Sequence, residues 1–329
     1  MMENLNRRVL RMSPFFGKWR VSNPPLILGS GNSSTVYEVE SDGMRAALKV
    51  IEIPRYQQLS AWKRMSTDPD FVRRMTDREM GYVRTEIEVM KSLKGISQIV
   101  CFENSAIYPR TDNIYGWYVA IRMEKLYTLD AVLRDPGLCG ADRFEGPQDG
   151  RLLLKIWRDL LEGLDYCEMR HVVHLDIKPD NIFYAPPSQD CFRLGDFGVS
   201  VRTQNGKTAA NMVVGTVSYM APEIRAGRGG DVRSDIYSLG MVMYELFNGR
   251  RPPLVPTSRV VTQEDFDNAN KQRFDGKKIP AIRGASSQVS RILLKCLEYE
   301  PENRYQSIYE LRREVAEIKL RKGLFGRWV

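Results

Sequence analysis

The sequence predicts an α+β fold in two lobes, an antiparallel β-sheet followed by a mostly helical region. Short alternating apolar runs separated by Gly and Ser turns fill the first third of the chain, whereas apolar residues recur at helical spacing after Met123. Of the 329 residues, 43% are hydrophobic and 27% are charged, which is typical of a soluble protein with a packed core. Two adjacent lobes of this kind leave a cleft between them, where ligands commonly bind.

The strands and the helix of the first lobe follow from this patterning. Segments 26–29, 36–40 and 45–51 are predicted as antiparallel strands, and a second pair of strands fits 99–105 and 116–123. A helix is predicted over 77–94, ended by Gly95.

The second lobe is predicted to be helical, with one short strand and one long loop. The strand occupies 191–194, and the segment 136–149, rich in Gly, Asp and Pro, is predicted to be a surface loop. The predicted helices occupy 152–169, 234–248, 288–298 and 307–319.

Net charge and cysteine usage limit the classes of partner and compartment. The chain carries 49 Lys and Arg against 41 Asp and Glu, a net charge of +8. Because these cations are spread along the chain, we expect no nucleic-acid binding. The five cysteines are an odd number without metal-ligand spacing. They predict buried free thiols in a reducing compartment, so a cytoplasmic location is expected.

The chain also lacks the patterns expected of membrane and secreted proteins. No segment approaches the roughly 18 consecutive apolar residues of a membrane helix, so no membrane span is expected. Residues 1–11 contain arginines but no apolar core, so no secretory signal is predicted.

A cluster of polar residues in the segment 174–181 has the composition that phosphoryl transfer requires. It combines the carboxylate of Asp176, the cation of Lys178 and the amide of Asn181 between apolar neighbours, and Pro179 prevents a helix there. Phosphoryl transfer needs a carboxylate to accept or orient a hydroxyl proton, a cation near the γ-phosphate and an oxygen ligand for Mg²⁺. An ordinary solvated loop is the alternative interpretation of this cluster.

A second carboxylate follows at the end of a predicted strand. Asp196-Phe197-Gly198 begins 15 residues after Asn181. A carboxylate at a strand end is suited to holding a metal ion, and the glycine permits a sharp turn. A simple turn is the alternative, and the order of the two motifs is what favours a site.

The first lobe offers a glycine-rich turn and an inward-facing lysine. Gly29-Ser30-Gly31 joins two predicted strands, and glycines let backbone N–H groups approach phosphate oxygens. A plain hairpin turn is the alternative. Lys49 would share a strand face with Ala47, and a lysine that points inward from a strand needs an anionic partner. A surface lysine is the alternative. Glu86 is the expected partner because it lies on the apolar stripe of the helix, whereas Glu88 lies on the opposite face.

Taken in order, these motifs resemble the eukaryotic-type (Hanks-type) serine/threonine protein kinases, and the bacterial eukaryotic-like kinases among them. The resemblance covers about 26–304 and includes Ala221-Pro222-Glu223, the helix-like segment 234–240 and Arg304. It implies the two-lobed protein kinase fold and the transfer of the γ-phosphoryl group of ATP to Ser or Thr hydroxyls of protein substrates. The implied divisions are a basic tail at 1–23, an N-lobe at 24–123 with an insertion at about 54–80, a hinge at 124–128, a C-lobe at 129–320 and a tail at 321–329.

The resemblance also implies roles at the site. Asp176 would be the catalytic base and Lys178 would contact the γ-phosphate, while Asn181 and Asp196 would hold Mg²⁺, or Mn²⁺ in its place. Lys49, oriented by Glu86, would grip the α- and β-phosphates of ATP. The remaining nucleotide contacts would come from Gly29, Ser30 and Gly31 over the phosphates, Val36 and Ala47 on the adenine, Met123 as gatekeeper and the hinge backbone from Glu124 to Leu126.

Other positions are implied to be structural. His174 would pack beside Phe197 rather than act as a base, and Asp235 would hold the catalytic-loop backbone. Glu223 and Arg304 would form a buried ion pair. Lys178 favours Ser/Thr over Tyr acceptors, and Thr216 would bond near Asp176 and Lys178 to help seat the acceptor hydroxyl.

Three departures from the family pattern carry predictions. Ser34 replaces the third glycine of the loop, and since serine is small we expect ATP binding to survive. Leu175 replaces the arginine that pairs with an activation-loop phosphate, so activity should not require phosphorylation between 196 and 223. The 37 positions from Lys49 to Glu86 imply an insertion at 54–80, whose apolar residues should cap the N-lobe; a docking surface for a partner is the alternative.

Three other functions remain alternatives at this point. A pseudokinase scaffold would bind nucleotide or protein without turnover, although every phosphoryl-transfer residue is present. A small-molecule phosphotransferase resembling the aminoglycoside kinases would lack Asp-Phe-Gly and Ala-Pro-Glu. A nucleic-acid binder would show steep salt dependence.

Overall fold

The computed structural model describes the chain in two compact units. The described residues are 18–31, 34–110, 112–140, 143–146, 148–185, 188–203, 208, 213–257, 260–283 and 285–320. The first unit runs to Lys94 and resumes over Val100–Lys125, and the second contains Gly95–Ile99 and the chain from Leu126 onward. Most of the predicted basic tail, and all of the tail predicted at 321–329, lie outside the described residues.

The first unit contains a six-stranded antiparallel sheet. Its strands are β1 (Arg20–Val21), β2 (Ile27–Ser30), β3 (Ser34–Ser41), β4 (Met44–Ile53), β5 (Phe102–Pro109) and β6 (Trp117–Glu124). They lie in the order β1-β3-β4-β6-β5, with β2 paired to β3. Because side chains alternate along a strand, Tyr37, Leu48 and Tyr118 form a buried core on one face, and Lys49 lies on the other.

The helical part of the first unit differs from the prediction in where it begins. Two helices follow β4, α1 (Tyr56–Met65) and α2 (Pro69–Ser92), so the helix predicted from 77 begins eight residues earlier. The cause is a helix start at Asp68, whose carboxylate accepts from the Asp70 N–H, followed by Pro69 at the first position. The insertion at 54–80 is therefore α1 together with the first turns of α2.

The apolar residues of the insertion only partly follow the expected capping. Leu59 and Trp62 are buried, whereas the Met65 side chain is exposed. The strand predicted at 99–105 is also displaced, to Phe102–Pro109. The reason is that Ile99 forms a parallel bridge with Leu194 in the second unit.

The second unit is mainly helical, which together with the sheet of the first unit confirms the predicted α+β class. Its helices are α3 (Leu129–Arg134), α4 (Gly150–Met169), α5 (Pro222–Arg225), α6 (Val232–Phe247), α7 (Gln263–Phe274), α8 (Ser287–Cys296) and α9 (Ile308–Ala316). Its short strands are β7 (Tyr127–Thr128), β8 (Val172–Val173), β9 (Ile182–Tyr184), β10 (Phe192–Leu194) and β11 (Val201–Arg202). Within them β9 pairs with β7 and β10, and β8 pairs with β11.

Two parts of the second unit differ from the prediction. The described residues of the segment predicted as a surface loop at 136–149 include a 3₁₀-helix, Pro136–Cys139, in which Cys139 is buried. Helix α7 has no predicted counterpart because its buried positions are Asp265, Ala269 and Arg273, which do not form an apolar stripe.

The cysteines are free thiols, as predicted. Cys139, Cys167, Cys191 and Cys296 are buried and Cys101 is partly exposed. Burial raises the pKa of the Cys139 thiol, so it stays protonated and inert. None of the helices described by the structure is both long enough and apolar enough to cross a membrane.

Candidate active site

The segment 174–181 of the second unit forms a loop between β8 and β9. Leu175 adopts a left-handed backbone conformation with φ of 66°, and Pro179–Asn181 forms one 3₁₀ turn. Asp235 of α6 fixes the start of the loop, because its carboxylate accepts the backbone N–H groups of His174 at 2.7 Å and Leu175 at 2.8 Å. The tie expected from Asp235 to this backbone is therefore present.

The side chains of Asp176, Lys178 and Thr216 form a closed triangle. Thr216 Oγ1 donates to Asp176 Oδ1 at 2.7 Å, and Lys178 Nζ donates to Thr216 Oγ1 at 2.9 Å. Lys178 Nζ also lies 2.8 Å from Asp176 Oδ2. A carboxylate, an ammonium and a hydroxyl-bearing segment thus meet at one point, as the sequence predicts.

Asn181 completes this cluster and leaves one ligand atom for a cation. Its amide Nδ2 donates to the Asp176 carbonyl oxygen at 2.8 Å and to Oδ2 at 3.2 Å. The two bonds use the NH₂ group, so the acceptor Oδ1 remains as the amide's ligand atom. Oxygen donors of this kind fit Mg²⁺.

Asp196 lies two residues after the end of β10, as predicted. The Gly195 N–H donates to the Asn181 carbonyl oxygen at 2.9 Å, which ties the backbone before Asp196 to the loop 174–181. Asp196 has φ of 58° and an exposed side chain. Asn181 and Asp196 therefore belong to one connected backbone region with oxygen donors that suit a divalent cation.

His174 is a packed residue rather than a base. It is fully buried and its ring lies 4.7 Å from the Phe197 ring, centroid to centroid. Nδ1 accepts from the Asp176 N–H at 3.2 Å, and Nε2 lies 3.2 Å from the Gly195 carbonyl oxygen. Desolvation lowers the pKa of His174, while the nearby Asp176 carboxylate only partly opposes that shift. The imidazole is therefore neutral and its contacts position the loop.

The segment before Ala221 lies very close to the loop 174–181. Gly215 has φ of 98°, and a Cβ atom there would lie 2.3 Å from the Leu175 carbonyl oxygen. Only glycine allows this approach, which places Thr216 against Asp176.

A buried ion pair and a partly buried hydrogen bond hold this segment and the residues that follow it. The Arg304 guanidinium donates to both carboxylate oxygens of Glu223 at 2.8 Å, the ion pair expected from the sequence. Tyr219 Oη donates to Glu245 at 2.8 Å. Burial raises the pKa of the Tyr219 phenol and of the Glu245 carboxyl.

The first unit places Lys49 beside Glu86. Lys49 Nζ and Glu86 Oε1 are 2.6 Å apart and both side chains are buried. In the sheet, Lys49 is paired with Val36 on one side and with Ile121 on the other. Glu88, the competing candidate, is exposed and pairs with Lys91 instead.

The residues expected around an adenine share the face of the sheet that carries Lys49. Ala47 pairs with Met123 across β4 and β6, and directly opposed residues of antiparallel strands lie on one face. Ala47 and Lys49 are two positions apart on β4, and Val36 opposes Lys49. The sheet therefore brings Val36, Ala47 and Met123 to one surface.

The glycine-rich segment ends β2 and lies beside the start of β3. The Gly31 N–H donates to the Ser34 carbonyl oxygen at 3.0 Å. A Cβ atom at Gly29 or Gly31 would meet nothing within 4 Å, so open space lies over both residues. Ser30 is exposed between them. This open backbone suits the approach of phosphate oxygens.

Sequence reasoning missed one residue of this region, Arg55. Its guanidinium donates to the Gly31 carbonyl oxygen at 2.8 Å, and it precedes α1 of the insertion. The pairing joins positions 24 apart, so no local pattern could reveal it. The insertion therefore begins by holding the glycine-rich turn.

The segment expected to be the hinge is held at its start. The Glu124 carboxylate accepts the Cys101 N–H at 2.5 Å, and Lys125 forms an ion pair with the largely buried Glu38. The Glu124 side chain is therefore engaged within the first unit, and Leu126 begins the second.

No cluster of three or more His, Cys, Asp or Glu suited to a metal lies in the part of the chain that the structure describes. A cation at Asn181 and Asp196 would therefore need further oxygen ligands from a bound nucleotide or water. This is the usual coordination of Mg²⁺ in phosphoryl-transfer sites.

Comparison with known proteins identifies relatives of the chain. The family model described as protein kinase domain matches residues 25–314. The serine/threonine-protein kinase PknB of Mycobacterium tuberculosis is 31% identical over 179 residues, which is 53% of this chain and 27% of PknB. A probable serine/threonine-protein kinase of Clostridium acetobutylicum is 32% identical over 162 residues, 49% of this chain and 23% of that protein.

A third relative falls in the same range. The serine/threonine-protein kinase PknF of M. tuberculosis is 33% identical over 176 residues, covering 52% of this chain and 36% of PknF. The aligned part thus spans between about a quarter and a third of the length of these curated relatives.

Proposed function

The chain belongs to the protein kinase family, and from this premise we propose that it transfers the γ-phosphoryl group of ATP to serine and threonine hydroxyls of proteins. The observation that carries the proposal is the closed triangle of Asp176, Lys178 and Thr216 with Asn181 bonded to the same carboxylate. Those groups supply the base, the cation and the metal ligand that the reaction needs.

In the proposed reaction, the acceptor hydroxyl oxygen forms a bond to the γ-phosphorus and the bond from that phosphorus to the β-phosphate oxygen breaks. Asp176 accepts the hydroxyl proton, and ADP leaves with the electron pair of the broken bond. Lys178 offsets negative charge on the transferred group. The hydrogen bond from Thr216 holds the carboxylate oxygen Oδ1 in place, so the base is oriented before the substrate arrives.

Mg²⁺ would be held by Asn181 and Asp196, and when bound it neutralises charge on the phosphates. In the first unit, Lys49 would contact the α- and β-phosphates while Glu86 holds its ammonium in place. The remaining nucleotide contacts are proposed to come from the open backbone of Gly29, Ser30 and Gly31, from Val36, Ala47 and Met123, and from the backbone between Glu124 and Leu126.

The proposed preference for Ser and Thr over Tyr rests on Lys178 and Thr216, which both contact the Asp176 carboxylate. A lysine two positions after the aspartate and a segment like 215–220 are the family pattern that goes with Ser and Thr acceptors. Phosphoamino-acid analysis of the products tests this preference directly.

The central test compares wild type with Asp176→Asn on casein and histone mixtures with γ-labelled ATP. The asparagine is isosteric but does not accept the proton, so we expect phosphate incorporation to fall by about 10²-fold or more. Asp180→Asn is the matched control because Asp180 is an exposed carboxylate of the same loop. It should retain wild-type activity.

Equal labelling by wild type and Asp176→Asn would refute the catalytic assignment. If the wild type binds ATP by calorimetry without any turnover, the pseudokinase alternative replaces the enzyme. Labelled phosphotyrosine as the main product would reject the Ser/Thr assignment while leaving the kinase intact.

A docking partner at the insertion is the alternative to its supporting role. The exposed large apolar side chains available for it are Tyr56 and Met65, while Leu59 and Trp62 are buried within the unit. The double substitution Tyr56→Ser and Met65→Ser leaves the buried contacts in place. Loss of phosphorylation of one particular protein, with casein labelling unchanged, would support docking.

A further inference from the structure

We propose that Arg273 is a positioning residue that fixes the backbone of 217–220 and thereby the seat of the acceptor hydroxyl. Arg273 lies in the last turn of α7, outside every motif of the active site, and is only 3% exposed. The inference rests on the proposed function, because it assigns the residue that orients the acceptor side of that same site.

The guanidinium reaches three backbone carbonyls of the segment. Nη1 donates to the Met220 carbonyl oxygen at 2.5 Å, and Nη2 donates to the Val217 carbonyl oxygen at 2.7 Å and lies 3.4 Å from that of Ser218. One planar group therefore holds both ends of a four-residue stretch. A fork of this geometry is a property of arginine that no other side chain has.

Further contacts hold the guanidinium itself in place. Nη1 also donates to the Tyr237 hydroxyl at 3.2 Å, and Nη2 donates to Asn270 Oδ1 at 3.2 Å. The carbon Cζ lies 4.2 Å from the centroid of the Phe274 ring. Since its rotamer is fixed by these partners, Arg273 transmits the position of α7 and α6 to the segment.

The clamped segment is continuous with the catalytic triangle. The N–H groups of Tyr219 and Met220 donate to the Thr216 carbonyl oxygen at 2.9 and 3.0 Å, which folds 216–220 into one turn. The Thr216 hydroxyl then contacts Asp176 Oδ1 and Lys178 Nζ. A displacement of this turn therefore displaces the hydroxyl that orients the proposed base.

The opposite side of the turn is free to meet a substrate. Val217 is 46% exposed, although its carbonyl oxygen accepts a hydrogen bond from the buried Arg273. The turn therefore presents one exposed apolar side chain on a backbone that Arg273 holds.

Burying the Arg273 guanidinium costs free energy of folding, which indicates that the residue has a specific role. Within the described residues Arg273 forms no ion pair with a carboxylate, and its Nε finds no hydrogen-bond partner. Burying a charge without a counter-ion costs free energy, which hydrogen bonds to the carbonyl oxygens must offset. Retaining arginine here gains the fixed geometry of the turn instead.

The test uses Arg273→Met, which keeps the length and removes every donor, and Lys271→Met as its matched control. Lys271 is an exposed cation in the same last turn of α7, so the control removes the same charge. Steady-state kinetics on a Ser peptide are measured together with hydrogen exchange of 213–220. ATP KM and the folded fraction are measured for each variant.

For Arg273→Met we expect peptide kcat/KM to fall by about 10- to 100-fold, as for a displacement of about 1 Å at a reacting group. The KM for ATP should stay within about two-fold of wild type, because Arg273 contacts no residue proposed to bind nucleotide. Exchange of the 217–220 amides should accelerate. Lys271→Met should change none of these quantities.

Unchanged peptide kinetics in a folded Arg273→Met protein would overturn the inference. The inference would also fail if nucleotide and peptide kinetics were both impaired only in proportion to the loss of folded protein. That result would show a structural role only. If Arg273→Met does not fold, Arg273→Gln is used, since one NH₂ group cannot span Val217 and Met220; the same outcomes apply. Failure of the wild type to phosphorylate any Ser or Thr would reject the proposed function instead.

Discussion

The hydroxyl of Thr216 donates a 2.7 Å hydrogen bond to Oδ1 of Asp176. The two residues are 40 positions apart, so their contact depends on the whole fold of the second unit. The bond occupies one lone pair of Oδ1 and thereby fixes the orientation of the whole carboxylate, including Oδ2. It is the contact on which the first prediction depends.

Thr216→Val should lower kcat by about 10- to 100-fold, since valine has the shape of threonine but no hydroxyl for Asp176 or Lys178. The KM for ATP should change little. Steady-state kinetics on a Ser peptide provide the measurement. Thr216→Ser is the matched control and should keep most of the activity, because it retains the hydroxyl; equal kcat for the Val and Ser variants would contradict the assigned role.

Arg55→Met should raise the KM for ATP by about five- to ten-fold, because the Gly31 carbonyl oxygen loses the guanidinium that holds the glycine-rich turn. Peptide KM should stay at the wild-type value. Equilibrium titration with a fluorescent ATP analogue measures the nucleotide side without any turnover.

The control for that prediction is Arg64→Met, which removes an exposed cation from the last turn of α1, the helix that Arg55 precedes. Identical nucleotide affinity for the Arg55 and Arg64 variants would show that the bond to Gly31 has no part in nucleotide binding.

The Arg55 contact shows where sequence reasoning reaches its limit. Lys49 and Glu86 could be paired from the sequence because each lies on a periodic element, and the face of that element determines where the side chain points. Arg55 and Arg273 have no such periodicity. Their partners are backbone carbonyls, which every residue has, so no residue type marks the acceptor.

Helices with an apolar stripe can be predicted from the sequence, whereas helices that bury polar residues cannot. Helix α4 carries a continuous apolar stripe, and the prediction matches its start to within two residues. Helix α7 buries Asp265 and Arg273, so its pattern resembles that of a solvated segment. The early start of α2 depends on the cap formed by Asp68 and Pro69, a local signal within the charged insertion.

A pH prediction follows from the burial of His174. Desolvation lowers its pKa in the folded protein, so the unfolded chain takes up this proton first as the pH falls. The folded state therefore loses stability from about pH 6.5 downward, by up to about 1.4 kcal/mol per pH unit, until the lowered folded pKa is reached. Protonation of Nδ1 would also oppose the Asp176 N–H that it accepts.

The measurement compares unfolding free energies of wild type and His174→Gln between pH 5 and 7.5. Burial raises the pKa of Asp235 to about 7, and a raised folded pKa gives stability that is lost as the pH rises through that value. Because this contribution is common to both proteins, their difference isolates His174. The loss of stability on acidification should be smaller in His174→Gln; parallel curves would contradict the prediction.

Activity should not depend on phosphorylation of the segment after Asp196. Leu175 is uncharged and buried, so it cannot pair with a phosphate. Thr203 and Thr208 are both buried, and the Thr208 hydroxyl accepts the Gly230 N–H at 2.7 Å. Phosphatase-treated enzyme should therefore retain its kcat.

The substitutions Thr203→Ala and Thr208→Ala should likewise keep most of the activity, with Thr208→Ala about 1 kcal/mol less stable because the Gly230 N–H loses its acceptor. Kinetics and thermal unfolding are measured in parallel. A large loss of kcat that the corresponding Asp variant restores would show that a phosphate is required after all.

The close approach of Gly215 to the catalytic loop gives the sharpest steric test. In Gly215→Ala the new Cβ would lie 2.3 Å from the Leu175 carbonyl oxygen, so the segment carrying Thr216 must move away from Asp176. We expect kcat to fall by at least about 10²-fold, since a shift of about 1 Å suffices for such a loss.

Gly249→Ala is the matched control, because Gly249 also has a positive φ, 68°, but faces open space. Both variants carry the backbone strain of a left-handed alanine, about 1 kcal/mol in unfolding free energy. Only Gly215→Ala should lose activity beyond its loss of stability, and equal kcat in the two folded variants would show that the contact with Leu175 does not position the site.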